Sequence, residues 1–392
     1  MEDPGPVGAA GRLRILFVSN LFPPDIGGPA THISRLAAEL HGSGHEVRAV
    51  VCAEDARARG GEPYPVRRVS RRLPVPTRFA LVFAWSWWWA LRSDLVYING
   101  LELPGVLAGL LSGRPRVLKV VGDFAWEYAL RHGWTDDGID DFQRRSYPAK
   151  AEAVRLIQRL YCALSSKVVV PSRYLGRLVE GWGVPPAKTR VIANALTGEP
   201  KVRLDREEIR RRLAVQGPMV LTVARLYSWK KVDDLIRLSP RFAMDATLVV
   251  VGDGPERGRL EALARGTGAR CVFAGAVPQE DVYSYLAASD AFVLNTRYEG
   301  MSHVILEARW AGAPIVTTSV GGNLEILEHG RNALLVEYGD HEALVAAVNS
   351  LLEDRALATR LSAAARHGLE HYRWERQVGE TLDLCLQTAR RG

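Results

Sequence analysis

Two glutamates, Glu299 and Glu307, stand eight positions apart in the segment YEGMSHVILE, which follows a short apolar run and opens an amphipathic helical pattern. Eight helical residues span at most about 12 Å at roughly 1.5 Å per residue. This is close to the distance between sugar and ribose in a nucleotide diphospho-sugar, so one carboxylate would bind sugar hydroxyls and the other ribose hydroxyls. The alternative is a pair of solvated glutamates at a helix start.

The turn between the apolar run and the helix suits a phosphate group. Gly300 lets the chain turn tightly, and we expect the backbone amides of Met301 and Ser302 to face outward at the positive end of the helix. Such helix ends bind phosphate. The sequence therefore predicts a diphosphate between the two glutamates.

Other segments could contribute to the same ligand. Arg225 and Lys230, in ARLYSWKK, lie between a predicted strand and a predicted helix, where two cations would neutralise a diphosphate leaving group or form surface salt bridges. The loop FAGAVP, which contains Val277, suits a nucleotide base. Gly27 and Gly28 in NLFPPDIGGPATHI let backbone approach a ligand, although many such turns bind nothing.

A second group of candidates follows the predicted strand that ends at Val121. The segment GDFAWEYALRHGW is rich in aromatic and acidic residues, and it begins where a strand end would face a cleft. Asp123 and Glu127 are candidate hydroxyl binders or bases, and Trp126 lies between them. The acids that follow, over 136–141, are better interpreted as a solvated loop.

The order of elements indicates an α/β fold with two facing, doubly wound, Rossmann-like parallel sheets. Ligands would lie at the carboxyl ends of the strands. The predicted strands are 13–19, 46–51, 94–98, 116–121, 167–170, 219–223, 246–251, 271–274, 291–294, 314–318 and 333–336. The predicted divisions are a loose tail over 1–11, a first domain over 12–197, a second domain over 198–372 and a final helix over 373–392.

Composition narrows the class of protein. The chain has 392 residues, 47% of them hydrophobic, and a net charge of +7, which favours anionic partners. Its four cysteines are scattered, as expected in a reducing cytoplasm. The first residues do not resemble a signal peptide, and no apolar run reaches the ~20 residues that span a bilayer. Because no Asp-x-Asp pair occurs, no metal is expected.

The segment 63–93 has six arginines, no acid and the run FALVFAWSWWWAL. Arginines beside tryptophans suggest an interfacial helix on anionic lipid. The alternative is a core helix preceded by a basic loop, which the apolar residues all around the helix favour.

Taken in order, these motifs resemble those of the GT-B glycosyltransferases, and within them family 4, the retaining, nucleotide-sugar-dependent group 1 enzymes. The resemblance covers nearly the whole chain. It comprises the GG loop, PSRYL at 171–175, VIAN at 191–194, ARLYSWKK, GDGP, EGMSHVILEA and GGN.

The resemblance implies metal-independent transfer of a sugar from a nucleotide diphosphate to an acceptor hydroxyl, with retained configuration and no cofactor. Arg225 and Lys230 would stabilise the departing diphosphate. Glu299 would contact the transferred sugar and Glu307 the ribose. The GG loop would approach the donor phosphates from the first, acceptor-side domain, and the final helix, from about Trp374, would cross back onto that domain.

The chain departs from the family pattern at two positions. Many members have a histidine that touches the sugar where this chain has Gly122, which leaves Asp123, or the backbone around it, as the catalytic candidate. Lys231 stands where a glycine often occurs.

Two other functions fit the same plan: a nucleotide-sugar epimerase and a non-catalytic sugar-binding subunit. The expected acceptor is a lipid-linked saccharide of the cell envelope or a small natural product, and no nucleic acid partner is expected. The expected location is the cytoplasm, with peripheral contact at the inner, anionic membrane face.

Overall fold

The computed structural model describes residues 11–23, 28–54, 56, 61–196 and 201–390. Gly27, the tail over 1–10 and the predicted boundary near residue 197 lie outside these residues. Within them the chain forms two α/β units, each built on a parallel sheet.

The first unit contains seven strands within the described ranges, and it alternates them with helices. The strands are β1 (Arg14–Ser19), β2 (Glu46–Ala53), β3 (Val66–Ser70), β4 (Leu95–Asn99), β5 (Arg116–Lys119), β6 (Lys167–Val170) and β7 (Thr189–Val191). The helices are α1 (Gly28–Gly42), α2 (Val75–Ala90), α3 (Glu102–Leu111), α4 (Phe124–Arg131), α5 (Ile139–Arg144), α6 (Ala149–Ala163) and α7 (Arg173–Gly181). The strand order is β3-β2-β1-β4-β5-β6-β7.

The second unit follows the same plan with six strands in the part of the chain described. The strands are β8 (Met219–Val223), β9 (Thr247–Val251), β10 (Cys271–Gly275), β11 (Ala291–Leu294), β12 (Ile315–Thr318) and β13 (Leu334–Val336). The helices are α8 (Arg206–Arg212), α9 (Val232–Leu238), α10 (Arg257–Thr267), α11 (Gln279–Ala288), α12 (His303–Ala311), α13 (His341–Glu353), α14 (Arg355–Ala365) and α15 (Trp374–Ala389). The strand order is β10-β9-β8-β11-β12-β13.

Both sheets confirm the predicted doubly wound parallel class. β1 is buried at every position after Arg14, because helices cover both faces of a parallel sheet. β1 lies between β2 and β4, and β8 lies between β9 and β11, so each sheet reverses its winding at these strands. Loops after such strands open the crevice in which ligands bind.

The strand predictions missed only the two edges of the first sheet, β3 and β7. An edge strand has one side open to solvent, so it needs no continuous apolar run. The sequences VRRVS and TRV accordingly lack one.

The last helix, α15, packs against the first sheet. Its buried residues Val378, Leu384 and Leu386 belong to the same hydrophobic cluster as Ile15 and Leu95. This arrangement makes the end of the described chain part of the first unit's core.

The arginine- and tryptophan-rich segment forms β3 and α2. Its basic part was predicted as a loop, but Arg67 and Arg68 lie in the edge strand β3. The prediction of a core helix is also wrong for much of α2, since Trp87 and Trp88 are 41% and 50% exposed. Because tryptophan occurs on both the core-facing and the exposed side of α2, the sequence alone does not show that the helix is amphipathic.

Candidate functional site

Loops from both units meet at the carboxyl ends of their strands. Gly300 follows β11, and a Cβ atom placed on it would lie 2.5 Å from the backbone oxygen of Val121, which follows β5. A Cβ atom on Gly322, in the loop after β12, would lie 1.8 Å from the backbone oxygen of Gly300. Only glycine permits such approaches. The turn around Gly300 is therefore packed between the first unit and the loop after β12.

Lys230 and Glu299 form an ion pair in this region. The Nζ of Lys230 donates to Oε1 of Glu299, and the side chains are 17% and 10% exposed. Lys230 ends a short 3-10 helix after β8, and Glu299 follows β11. Because β8 and β11 are neighbours, residues distant in sequence meet here. The pair places a cation and a hydrogen-bond acceptor together in the cleft.

Lys231 has the backbone conformation of a glycine. Its φ of 45° and ψ of 37° lie in the left-handed region, which glycine adopts most readily. Its ammonium group lies 3.9 Å from Asp233 and 3.7 Å from Asp234. Lys231 therefore adopts the left-handed backbone conformation that is expected of a glycine at this position.

An aromatic cluster joins the two units behind these charges. The ring of Trp126, in α4, lies 6.3 Å from the ring of Trp229 and 5.6 Å from that of Tyr298, measured between centroids. All three rings are buried. Each is followed directly in sequence by a charged residue: Glu127, Lys230 and Glu299. The cluster therefore fixes the relative positions of the three charged residues.

Glu127 faces this cleft from α4. A Cβ atom on Gly122 would lie 2.7 Å from Oε1 of Glu127, so the carboxylate occupies the space of a missing side chain. Burial raises the pKa of Glu127 to about 7, while Arg131 and Lys230 oppose the shift and the charge of Glu299 reinforces it. Such a carboxyl group can hold or release a proton near neutral pH.

Asp123, predicted as a hydroxyl binder or base, has both carboxylate oxygens engaged in hydrogen bonds. Its Oδ1 accepts hydrogen bonds from the Trp126 amide and Gln158, both at 3.0 Å, and its Oδ2 accepts one from Gln143 at 2.8 Å. Asp123 is only 1% exposed, and this geometry favours a structural cap of α4 over a catalytic group. Trp126 is fully buried and donates its indole N–H to the Asp137 carbonyl, which leaves no surface for an acceptor.

Glu307 and the predicted base-binding loop come together. Nε2 of Gln279 donates to Oε1 of Glu307 at 2.5 Å. Gln279 begins α11, two residues after Val277, which packs on the core of the second unit. Burial raises the pKa of Glu307 to about 7, against the effect of the Gln279 hydrogen bond. A single glutamine after proline forms no recognisable motif, so the sequence did not single it out.

The free backbone amides at the start of α12 belong to later residues than the sequence predicted. α12 begins at His303, and Ser302 is its N-cap. The Ser302 N–H donates to Oδ1 of Asn323 at 3.1 Å, so the prediction that it is free for a ligand is wrong. The Met301 carbonyl accepts a hydrogen bond from Asn194 at 2.8 Å. The amides without intrahelical partners are instead those of the first turn of α12, residues 303–305.

Arg225 and Gly28 also lie at these strand ends. Arg225 is exposed, and its guanidinium is 5.2 Å from the ring of Tyr227, which stacks on Trp229 at 4.5 Å. Gly28 begins α1, directly after the loop that follows β1. Along the chain, the predicted donor-site residues within the described ranges follow β1, β8, β10 and β11, and Glu307 lies within α12.

Across the described ranges, no three His, Cys, Asp or Glu side chains are grouped to hold a metal ion. In the same ranges no helix has the length and apolar character to cross a bilayer.

Comparison with known proteins identifies the family. The family model described as glycosyl transferase 4-like domain matches residues 27–195, and that described as glycosyl transferases group 1 matches residues 205–368. A 2-deoxystreptamine N-acetyl-D-glucosaminyltransferase of Streptomyces fradiae is 30% identical over 313 residues, which cover 72% of this chain and 71% of that protein. The chain belongs to the group 1 glycosyltransferases.

Two further similarities extend over nearly the whole length of this glycosyltransferase. It is 26% identical to a GDP-mannose-dependent alpha-(1-6)-phosphatidylinositol monomannoside mannosyltransferase of Mycolicibacterium smegmatis, over 94% of this chain and 97% of that protein. Among solved structures, HepE of Anabaena in complex with UDP and glucose has a TM-score of 0.75, with 21% identity, and covers 95% of this chain and 99% of that one. The latter likeness shows a shared GT-B fold.

We predict that Glu307→Gln stabilises the protein above neutral pH. The folded-state pKa of Glu307, about 7, exceeds the ordinary value of 4.5, so its contribution to stability is full below pH 4.5 and is lost as pH rises through 7. A shift of this size corresponds to about 3 kcal/mol. Melting temperatures of the variant and the wild type should diverge between pH 5 and pH 8, with the variant higher. The exposed Glu353→Gln serves as control, and a pH-independent difference would contradict the burial argument.

Proposed function

We propose that this glycosyltransferase moves a sugar from a nucleotide diphosphate sugar to an acceptor hydroxyl, with retained configuration and without a metal. The observation that carries the proposal is the Lys230–Glu299 pair, which the aromatic cluster positions opposite Glu127. A donor phosphate would replace Glu299 as the partner of the Lys230 ammonium group. Glu299 would then accept hydrogen bonds from the hydroxyls of the transferred sugar.

The same region can stabilise a departing diphosphate. Arg225 and Lys230 follow β8, and the first turn of α12, which follows β11, would supply its free amides and the positive end of its dipole. Fixed charges of this kind stabilise negative charge that develops on the leaving group. The diphosphate would accept the proton of the attacking hydroxyl, which approaches from the same face of the sugar. The protein would mainly position the reactants.

Glu127 replaces Asp123 as the proposed acceptor-side carboxylate. Asp123 is occupied by its cap hydrogen bonds, whereas the carboxylate of Glu127 makes no hydrogen bond within the described residues. The ionised form of Glu127 would accept a hydrogen bond from the acceptor hydroxyl. Its raised pKa would make this contact dependent on pH near neutrality.

A nucleotide sugar as donor is supported by the neighbouring structures. HepE of Anabaena has been solved with UDP-glucose. The burial of Glu307 beside Gln279, at the loop proposed for the base, fits a ribose contact.

A lipid-linked acceptor is supported by an apolar, basic surface on the first unit. Trp88 in α2, Leu111 in α3 and Leu156 in α6 are 50%, 65% and 67% exposed, and these helices pack side by side. Arg92 stacks on Trp88 at 4.0 Å. Exposed tryptophan and leucine with arginine are typical of surfaces that bind anionic lipid. The mannosyltransferase relative is named for a phosphatidylinositol acceptor. We propose peripheral contact with an anionic membrane, with a small natural product as the alternative acceptor.

The donor can be tested without the acceptor. We expect the wild type to hydrolyse one member of a panel of nucleotide sugars slowly in the presence of a chelator, releasing a nucleoside diphosphate. Glu299→Ala and Lys230→Ala should each reduce this release by about 100-fold or more, since each removes a stabilising contact in the transition state. The control is Glu353→Ala. If either site variant kept most of the activity, the donor site would be misplaced, and interconversion of sugars without release would indicate an epimerase.

Glu127→Gln should reduce donor hydrolysis while leaving donor binding unchanged. We expect the rate to rise as Glu127 ionises near pH 7, and the variant to lose about 100-fold in rate together with this dependence. Rates and dissociation constants between pH 5.5 and 8.5 would measure both effects. Asp141→Asn, at an exposed acid in α5, is the matched control. Persistence of the rise near pH 7 in Glu127→Gln would assign it to another group.

The membrane surface can be tested with vesicles. We expect the protein to sediment with phosphatidylglycerol vesicles and not with phosphatidylcholine vesicles, because both arginine and apolar contacts are required. Trp88→Ser with Leu111→Ser should reduce the bound fraction several-fold at low salt. Leu324→Ser removes an exposed leucine from the second unit and should have no effect. Equal binding by the two variants would contradict the proposed surface.

A further inference from the structure

A buried cluster of N–H donors lies beside the proposed donor site. Nζ of Lys119 is 2.8 Å from Nε2 of His32, and the ring of His32 lies edge-on to Trp374 with centroids 5.4 Å apart. Lys119, His32 and Trp374 are 5%, 3% and 4% exposed. The three residues come from β5, α1 and α15, so the first unit and the last helix both contribute.

The cluster has more donors than acceptors. A charged Lys119 can only donate, so Nε2 of His32 accepts its hydrogen bond and Nδ1 of His32 carries a hydrogen. Nδ1 of His32 and Nε1 of Trp374 have no hydrogen-bond partner among the described residues. Buried donors are nearly always paired in native proteins. Their occurrence together indicates that an acceptor outside the described chain binds here.

The charges point to an anion. Burial lowers the pKa of Lys119 to about 7, and no carboxylate of the described residues acts against this. Burial lowers the pKa values of His32 and His303, and the charge of Lys119 lowers them further. A buried cation without a partner is unfavourable, whereas an anion with several oxygens would pair with it and with the free N–H groups.

The position of the cluster indicates which kind of anion it would bind. Lys119 is the last residue of β5, at the end of the sheet where ligands bind. The ring of His303, the first residue of α12, lies 6.3 Å from the ring of His32, centroid to centroid. His303 stands between Glu299 and Glu307 in sequence, which are the proposed sugar and ribose contacts. A group bound at the cluster would therefore lie between sugar and ribose, where a diphosphate belongs.

We propose that Lys119 and His32, with the indole N–H of Trp374, bind phosphoryl oxygens of the donor diphosphate. This inference rests on the proposed function, and it adds a first-unit cation to Arg225 and Lys230 of the second unit. The diphosphate would then be neutralised from both sides of the cleft.

Lys119→Met provides the test, since methionine is apolar and similar in length. Titration calorimetry with inorganic pyrophosphate, UDP and GDP should show the dissociation constant of the bound ligands rising about tenfold or more, as expected for loss of a charged hydrogen bond. The melting temperature of the protein without ligand should rise, because an unpaired buried cation is removed. A purely structural lysine would give the opposite pair of results: a lower melting temperature and unchanged affinities, which would overturn the proposal.

Two further variants provide a second test and a control. His32→Phe removes the free N–H and should also weaken pyrophosphate binding, whereas Lys201→Met, at an exposed lysine, should change neither quantity. Weaker binding of inorganic pyrophosphate with unchanged UDP and GDP binding would mean that the cluster binds a separate anion and would overturn the placement of the donor. Failure of the wild type to hydrolyse any nucleotide sugar would count against the proposed function, while its pyrophosphate affinity would still report on the cluster.

Discussion

The contact of Trp126 with Trp229 and Tyr298 is the constraint on which the rest of the site depends. Charged groups from two separate sheets must meet with a spacing set by a small ligand, and long side chains alone would not give this precision. Buried aromatic rings add packing and geometric preference at the junction. Because a charged residue follows each ring, the packing of the rings sets the geometry of the charges.

The electrostatics of the cleft follow from that arrangement. The second unit supplies a cation paired with a carboxylate, and the first unit supplies a carboxyl group with a raised pKa and a buried lysine with a lowered one. Perturbed groups of this kind concentrate at functional sites. Here the two pKa shifts have a common cause, since burial removes water from both Glu127 and Lys119. The diphosphate of a bound donor would neutralise the cations of the cleft, and its sugar hydroxyls would donate hydrogen bonds to the carboxylates.

Most of the fold could be predicted from the sequence, because strands buried on both faces leave continuous apolar runs such as RILFVS. The position of the proposed donor-site segments after strands could also be predicted, because each motif follows an apolar run. The cap formed by Asp123 and the hydrogen bond that occupies the Ser302 amide could not be predicted, since a sequence does not show which carboxylate caps a helix or which side chain, here that of Asn323, binds an amide. The sequence presents Lys119 as an ordinary strand residue, and only the packing around it reveals that no acid of the described residues pairs with it.

The path of α15 has a consequence for the synthesis of the protein. The core around β1 and β4 includes Val378, Leu384 and Leu386, which are translated only after the second unit. Domains generally fold as units, with the N-terminal one first. In this chain the earlier domain would wait, with apolar surface still open, until the later one had been made. Chaperones would therefore have their longest opportunity to bind at the half of the protein that is translated first.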